Sequence, residues 1–302
     1  MGWVLKGARK GSVAVARLQG KVAFITGAAR GQGRSHAVRL AEEGAAIVAL
    51  DICDQIPTVF YPMATKEDLD ETRRLVEAAG GRIVASVADV RDRAALQAAY
   101  DAGIDEFGRV DIVLANAGIM PVINQGFEEQ AWHDGIAVML TGVWHTLEVT
   151  VPGMIERGDG GAIIITSSAA GLSGMGLNTS PGQAAYNAAK HGVVGLMRLY
   201  ASQLAEHRIR VNTVHPTGLN SPMVANAEYG EFLETHPEIA ASPLYQNPMP
   251  VELIEAIDIS NAIVYLASDE ARYVTGVTFP VDAGYLNRGP KAGPSMGVSA
   301  AQ

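Results

Sequence analysis

From Lys21 almost to its end, the chain alternates short runs of Val, Ile and Ala with longer amphipathic stretches. Seven runs read as strands: Val22 to Thr26, Ala46 to Leu50, Arg82 to Val87, Asp111 to Ala115, Ala162 to Thr166, Ile209 to Val214 and Val277 to Pro280. They lack the polar alternation of a half-solvated strand, so the pattern predicts strands covered on both faces. Helix-length segments lie between them at Ser35 to Glu43, Glu67 to Ala79, Arg93 to Phe107, Glu128 to Arg157, Gly182 to His207 and Glu252 to Ser268. Strand–helix alternation of this kind builds a parallel sheet with helices on both faces. No repeat of fixed period and no linker-like shift in composition divides the chain. The expectation is one doubly wound α/β domain on a seven-stranded sheet over residues 18–302, with residues 1–17 as a disordered extension.

Two segments break the rhythm. Ile52 to Lys66 is a polar and aromatic excursion where two to six residues usually suffice. Leu219 to Val251 is longer and broken by Pro222, Pro237, Pro243, Pro248 and Pro250. Both leave the carboxyl ends of strands, the edge at which such sheets bind ligands. The first is expected as a cofactor-side insertion and the second as a substrate lid. Met223, Tyr229, Phe232, Leu233, Leu244, Tyr245 and Met249 make the second apolar, which suits a hydrophobic substrate or a subunit contact.

Thr26-Gly27-Ala28-Ala29-Arg30-Gly31-Gln32-Gly33 joins the first strand to the first helix. Its glycines allow a tight turn and close approach of backbone to a pyrophosphate, which the helix start attracts. This strand–turn–helix context is that of a dinucleotide site on a Rossmann-type fold. Asp51 ends the second strand 24 residues after Gly27. A carboxylate there accepts hydrogen bonds from the adenosine ribose hydroxyls and repels a 2'-phosphate, favouring NAD over NADP. Arg30 argues the other way, since a guanidinium in the turn can reach such a phosphate.

Tyr186 and Lys190 lie four apart on an expected helix and so share a face. A free phenol titrates near pH ~10, too high for a base at neutrality. A neighbouring ammonium and a positively charged nicotinamide ring are expected to lower it. Ser168, after the fifth strand, is placed to hydrogen-bond a substrate oxygen, with Ser167 and Ser173 as substitutes.

Composition narrows the partners. The net charge of -9, from 23 Lys+Arg against 32 Asp+Glu, supplies no basic field for nucleic acid or an anionic membrane. No apolar run reaches the ~18 residues of a membrane-spanning helix. The single cysteine, Cys53, fits a reducing, cytoplasmic setting. The seven histidines, His36, His133, His145, His191, His207, His215 and His236, show no metal-ligand spacing, and no Gly-x-Ser-x-Gly elbow suggests a hydrolase. No metal is expected.

Together these pieces resemble the short-chain dehydrogenase/reductase family over nearly all of Lys21 to Leu286. Further matches are Ala88-Asp89-Val90, Ala115-Asn116-Ala117-Gly118, Tyr186-Asn187-Ala188-Ala189-Lys190, His215-Pro216-Thr217-Gly218 and Pro280-Val281-Asp282-Ala283-Gly284. The resemblance implies an NAD-dependent enzyme interconverting a secondary alcohol and a ketone, with Ser168, Tyr186 and Lys190 catalytic. It places Gly27, Arg30, Gly31, Gln32, Gly33, Asp51 and Ile52 along the cofactor. It adds Asp89 and Val90 at the adenine, Asn116, Ala117 and Gly118 further along, and Leu219 and Ser221 near the carboxamide. It also implies a homotetramer.

The Gly27-to-His36 string, Asp51-Ile52-Cys53 and Leu140-Thr141-Gly142-Val143-Trp144 are similar to the mycofactocin-coupled, carveol-dehydrogenase-like branch. That similarity implies an external redox carrier and a terpenoid- or steroid-like substrate. One departure stands out: Met139 occupies the place of an Asn that in the family holds a kinked helix and a relay water. It leaves open a second class, an NAD-binding protein with reduced catalysis that acts as a sensor or structural subunit. The Ser168 to Tyr186 spacing is also longer than usual, with the surplus in Met175 to Gly182, expected as a loop beside the pocket.

Overall fold

A computed structural model describes residues 16–123, 128–240, 242 and 246–287. Most of the expected N-terminal extension, together with Pro243, Leu244 and Tyr245 of the expected lid, lies outside the described residues. The strands are β1 (Val22–Thr26), β2 (Ala46–Asp51), β3 (Ile83–Val87), β4 (Ile112–Ala115), β5 (Gly161–Thr166), β6 (Ile209–Pro216) and β7 (Thr278–Val281). They form one parallel sheet in the order β3-β2-β1-β4-β5-β6-β7. The chain builds outward from β1 to one edge, then returns and builds from β4 to the other. The reversal between β1 and β4 opens a crevice at the carboxyl ends of the central strands.

Alternate side chains of each central strand serve opposite layers. Phe24, Val48, Val113 and Ile163 pack on one face under α3 (Arg93–Phe107), α5 (Gly142–Arg157) and α6 (Pro181–Leu204). Ile25, Ile47, Ile112 and Ile164 pack on the other under α1 (Gly31–Glu42) and α9 (Ala256–Ala267). Burial on both faces therefore holds for the central strands. β3 departs from it: as the edge strand it is only partly covered, and Val87 is 57% exposed. Next to it α2 (Lys66–Ala78) starts from Thr65, whose hydroxyl accepts Asp68 N while the Asp68 carboxylate accepts Thr65 N.

The expected single helix from Glu128 to Arg157 is three pieces: α4 (Glu128–Ile136), a π-helical turn (Ala137–Thr141) and α5. Met139 lies buried within the π turn, so the backbone distortion forms without the Asn.

The two excursions differ in build. Residues 52–65 have no regular secondary structure yet are tightly held, and the last residue of the expected insertion, Lys66, opens α2. The Gln55 amide donates to the carbonyls of Ile56, Val59 and Tyr61 and accepts Met63 N. Thr58 donates to Asp134 of α4 at 2.7 Å, and the Tyr61 hydroxyl accepts Met120 N at 3.2 Å. The segment thus spans from β2 to the far rim of the crevice as a strap. Residues 219–251 are pinned at their ends, where Leu219 pairs with Ile254. Their middle carries the unforeseen helices α7 (Ala227–Thr235) and α8 (Pro237–Ala240), and α7 has no buried residue.

Candidate active site

The Gly-rich turn forms the floor of the crevice. Gly27 has φ +67°, and a Cβ there would come 2.8 Å from Ala117 Cα; one on Gly33 would come 2.0 Å from the Gly27 carbonyl oxygen. Neither place admits a side chain. No side chain caps the start of α1 and no acidic residue sits in its first turn. Its N–H groups and partial positive charge therefore face the crevice available to an anion. This cradle fits a dinucleotide pyrophosphate.

Gly27, Arg30, Gly31, Gln32, Gly33, Asp51, Ile52, Asp89, Val90, Asn116, Ala117, Gly118 and Ser221 all line this one cleft. Asp51 Oδ2 accepts Ala29 N at 3.0 Å and Oδ1 accepts Cys53 N at 3.3 Å. Burial pushes the Asp51 carboxyl up, while those N–H groups and the Arg30 charge hold it back. The Arg30 guanidinium donates to the Pro62 carbonyl, which ties the turn to the strap. Asn116 donates to the carbonyls of Thr26 and Gly27 and accepts from Thr166 Oγ1, so it joins the turn to β5 as well as lining the cleft. Asp89 is held by the backbone N–H and guanidinium of Arg91.

Beyond the cleft lies a second cavity of about 670 Å³. Ser168 and Tyr186 are in its wall, with Met175, Gly176 and Leu177 of the lengthened loop and Tyr229 and Leu233 of α7. Leu219 borders this cavity and not the cleft. Lys190 lies behind both, buried, with Nζ donating to the Thr166 carbonyl at 2.9 Å and standing 5.7 Å from the Tyr186 ring centre.

The three serines separate cleanly. Ser167 Oγ donates to the Lys190 carbonyl and Ser173 Oγ to the Ala169 carbonyl. Of the three, only the Ser168 hydroxyl acts on the Tyr186 phenol, and its own backbone is fixed by His215, whose Nδ1–H donates to the Ser168 carbonyl at 2.8 Å.

Burial pushes the Tyr186 phenol up, and only the Ser168 hydrogen bond pulls it down. Burial also lowers Lys190 to about 8. In the protein alone, desolvation therefore outweighs the expected help from the ammonium.

Tyr61 belongs to this neighbourhood and was not singled out from the sequence. It is buried, lines the cleft and lies close enough to interact electrostatically with Tyr186. No spacing rule marks it, because the folding of the strap rather than a periodic element brings it there.

The family model described as enoyl-(acyl carrier protein) reductase matches residues 27–286. An uncharacterized oxidoreductase of Mycobacterium tuberculosis is 57% identical over 271 residues, covering 90% of this chain and 98% of that protein. The (-)-trans-carveol dehydrogenase of Rhodococcus erythropolis is 46% identical over 278 residues, covering 89% and 99%. Among solved structures, carveol dehydrogenase from Mycobacterium avium in complex with NAD superposes with a TM-score of 0.82 at 47% identity, covering 90% of this chain and all of that one. With a dinucleotide cradle at the sheet reversal and matches of this extent, the chain belongs to the short-chain dehydrogenase/reductase family and is an oxidoreductase. Within that family it is similar to the carveol dehydrogenases.

Proposed function

We propose that this protein is an NAD-dependent dehydrogenase that interconverts a hydrophobic secondary alcohol and its ketone. One observation carries the chemistry: Ser168 and Tyr186, with Lys190 behind the Tyr186 ring, line one largely apolar cavity that adjoins a dinucleotide cleft. NAD, when bound, supplies the hydride acceptor and a positive charge beside the phenol. Tyr186 accepts the alcohol proton, and in reverse it protonates the carbonyl oxygen. Ser168 orients that oxygen. Lys190, held by the Thr166 carbonyl behind the phenol ring, adds positive charge that together with the charge of bound NAD works against the upward push of burial on Tyr186. Asp51 selects NAD by accepting the adenosine ribose hydroxyls, and Arg30, engaged by Pro62, is drawn toward the strap. Residues 219–251 act as the substrate lid, and a terpenoid- or steroid-like alcohol suits the cavity. A homotetramer in the cytoplasm, with electrons passing to an external carrier of the mycofactocin kind, completes this reading. Among the described residues no helix is long and apolar enough to cross a membrane. A cofactor-binding protein with reduced catalysis is not favoured, since the distortion around Met139 is intact.

Tyr186→Phe removes the oxygen that moves the proton and keeps the ring. Turnover should fall by at least ~10²-fold with NAD affinity retained. Near-normal turnover in that variant would reject the mechanism.

A further inference from the structure

The cleft and the large cavity share Gln32, Ser221 and Met223, and no other described residue lines both. Gln32 is the second residue of α1; Ser221 and Met223 belong to the root of the lid. A molecule lying in the cleft and reaching Tyr186 passes between them. On the reading above, that passage holds the nicotinamide end of NAD.

Gln32 carries an anomaly at this spot. Its amide oxygen Oε1 is buried without a hydrogen-bond partner among the described residues. Two other side-chain atoms among the described residues share that condition, but neither residue lines the cleft or the large cavity. His36 Nε2 is the idle nitrogen of an imidazole bonded through Nδ1 to Ser260. Arg157 Nε belongs to a guanidinium whose other nitrogens bond the Val110 and Gly160 carbonyls. A buried acceptor without a donor destabilises a fold, and an apolar side chain of the same length would avoid the penalty.

We propose that Gln32 Oε1 accepts a hydrogen bond from the carboxamide nitrogen of the nicotinamide and so fixes which face of the ring meets the substrate. The atom requires a donor, which excludes phosphate oxygens, the ribose ring oxygen and a ketone substrate. On the same reading the reacting alcohol hydroxyl is claimed by Ser168 and Tyr186, which line the cavity but not the cleft. The carboxamide nitrogen is the remaining donor attached to the reactive ring. Flipping the ring would carry that nitrogen away from Gln32, so the contact orients the ring as well as binding it.

A chemical analogue separates this contact from general cofactor affinity. In 3-acetylpyridine adenine dinucleotide a methyl ketone replaces the carboxamide, so the N–H donor is gone. Calorimetric titration should show wild-type protein binding NAD about tenfold more tightly than the analogue, the worth of one well-made hydrogen bond. Gln32→Met should weaken NAD to the level of the analogue and bring the ratio close to one. Gln32→Glu keeps an acceptor oxygen, so it should preserve the discrimination and raise the preference for oxidised over reduced cofactor. Without cofactor, Gln32→Met should melt at or above the wild-type temperature, whereas a purely structural glutamine would lower it. An unchanged NAD-to-analogue ratio in Gln32→Met overturns the proposal. So does an effect confined to the KM of substrates with a second hydroxyl, which would assign the oxygen to substrate. Wild-type protein that binds neither nucleotide would instead refute the cofactor reading on which the proposal rests.

Discussion

The strap and the lid are both insertions at the carboxyl edge of the sheet, yet they are built on opposite principles. The strap turns its polar atoms inward: Gln55 ties three of its carbonyls, Thr58 reaches Asp134, and Tyr61 reaches Met120. Ile56, Val59 and Tyr61 join the main core cluster. The lid is fastened at its root by Leu219, Ile254 and the Asn247 amide, while α7 buries no residue and Met249 is 59% exposed. Local opening is cheap where few apolar contacts close a segment and dear where many do. The strap is therefore a fixed wall of the cleft, and residues 219–251 are the looser of the two segments.

The strongest way to break this contrast is Tyr61→Ala. Emptying a buried aromatic site costs about 3–5 kcal/mol, and Met120 N loses its acceptor as well. Urea unfolding that shifts by less than about 1 kcal/mol would mean that the strap is surface decoration.

Acid supplies a second test, because His215 stands at the foot of the lid and His36 lies between α1 and α9. Burial lowers His36 to about 3 and His215 to about 4, against an ordinary value near 6.5. The unfolded chain takes up these protons near pH ~6.5 and the native state refuses them, so this stability is complete above ~6.5 and lost as pH falls below it. His36 alone should cost about 2 kcal/mol by pH ~5. Glu43, held at about 2 by Arg17 and Arg39, contributes its loss only at lower pH. Denaturation midpoints between pH ~6.5 and ~4.5 should fall in wild type and fall less in His36→Asn. Hydrogen exchange at pH ~5 should rise around the lid root before the strap.

The smallest effect on stability belongs to Leu233→Ala in α7. Global stability should change by no more than about 0.5 kcal/mol, while KM for a hydrophobic alcohol rises severalfold. A cost of several kcal/mol in unfolding would make the lid as fixed as the strap.

How much of this was legible beforehand follows the same division. Strands buried on two faces write themselves as Val and Ile runs, and the observed bounds of β1 coincide with the expected ones. The Gly-rich turn, Asp51, Ser168, Tyr186 and Lys190 were legible as candidates because they lie on or beside regular elements. Tyr61 was not legible, since an irregular segment carries it to the site. α7 was hidden among prolines that read as breaks. Leu219 borders the neighbouring cavity, at the point where the backbone pairs with Ile254. The raised Tyr186 phenol depends on desolvation, which belongs to the packed molecule and not to any spacing.

The π turn around Met139 settles a matter of phase. Before it, the buried positions Ala131, Asp134 and Gly135 form one stripe along α4. After it, Val143, Leu147, Thr150 and Met154 form another along α5. On an unbroken α-helical wheel the second stripe is rotated from the first by about 140°, of which one residue accounts for about 100°. Ala137–Thr141 absorbs that single surplus residue, so both stripes meet the same protein interior. Removing one residue from this turn would leave an ordinary helix with both buried faces preserved. The fold does not require the surplus residue; what it adds is the local bulge that holds Met139 beside Gly118 and, through Gly118, next to Lys190.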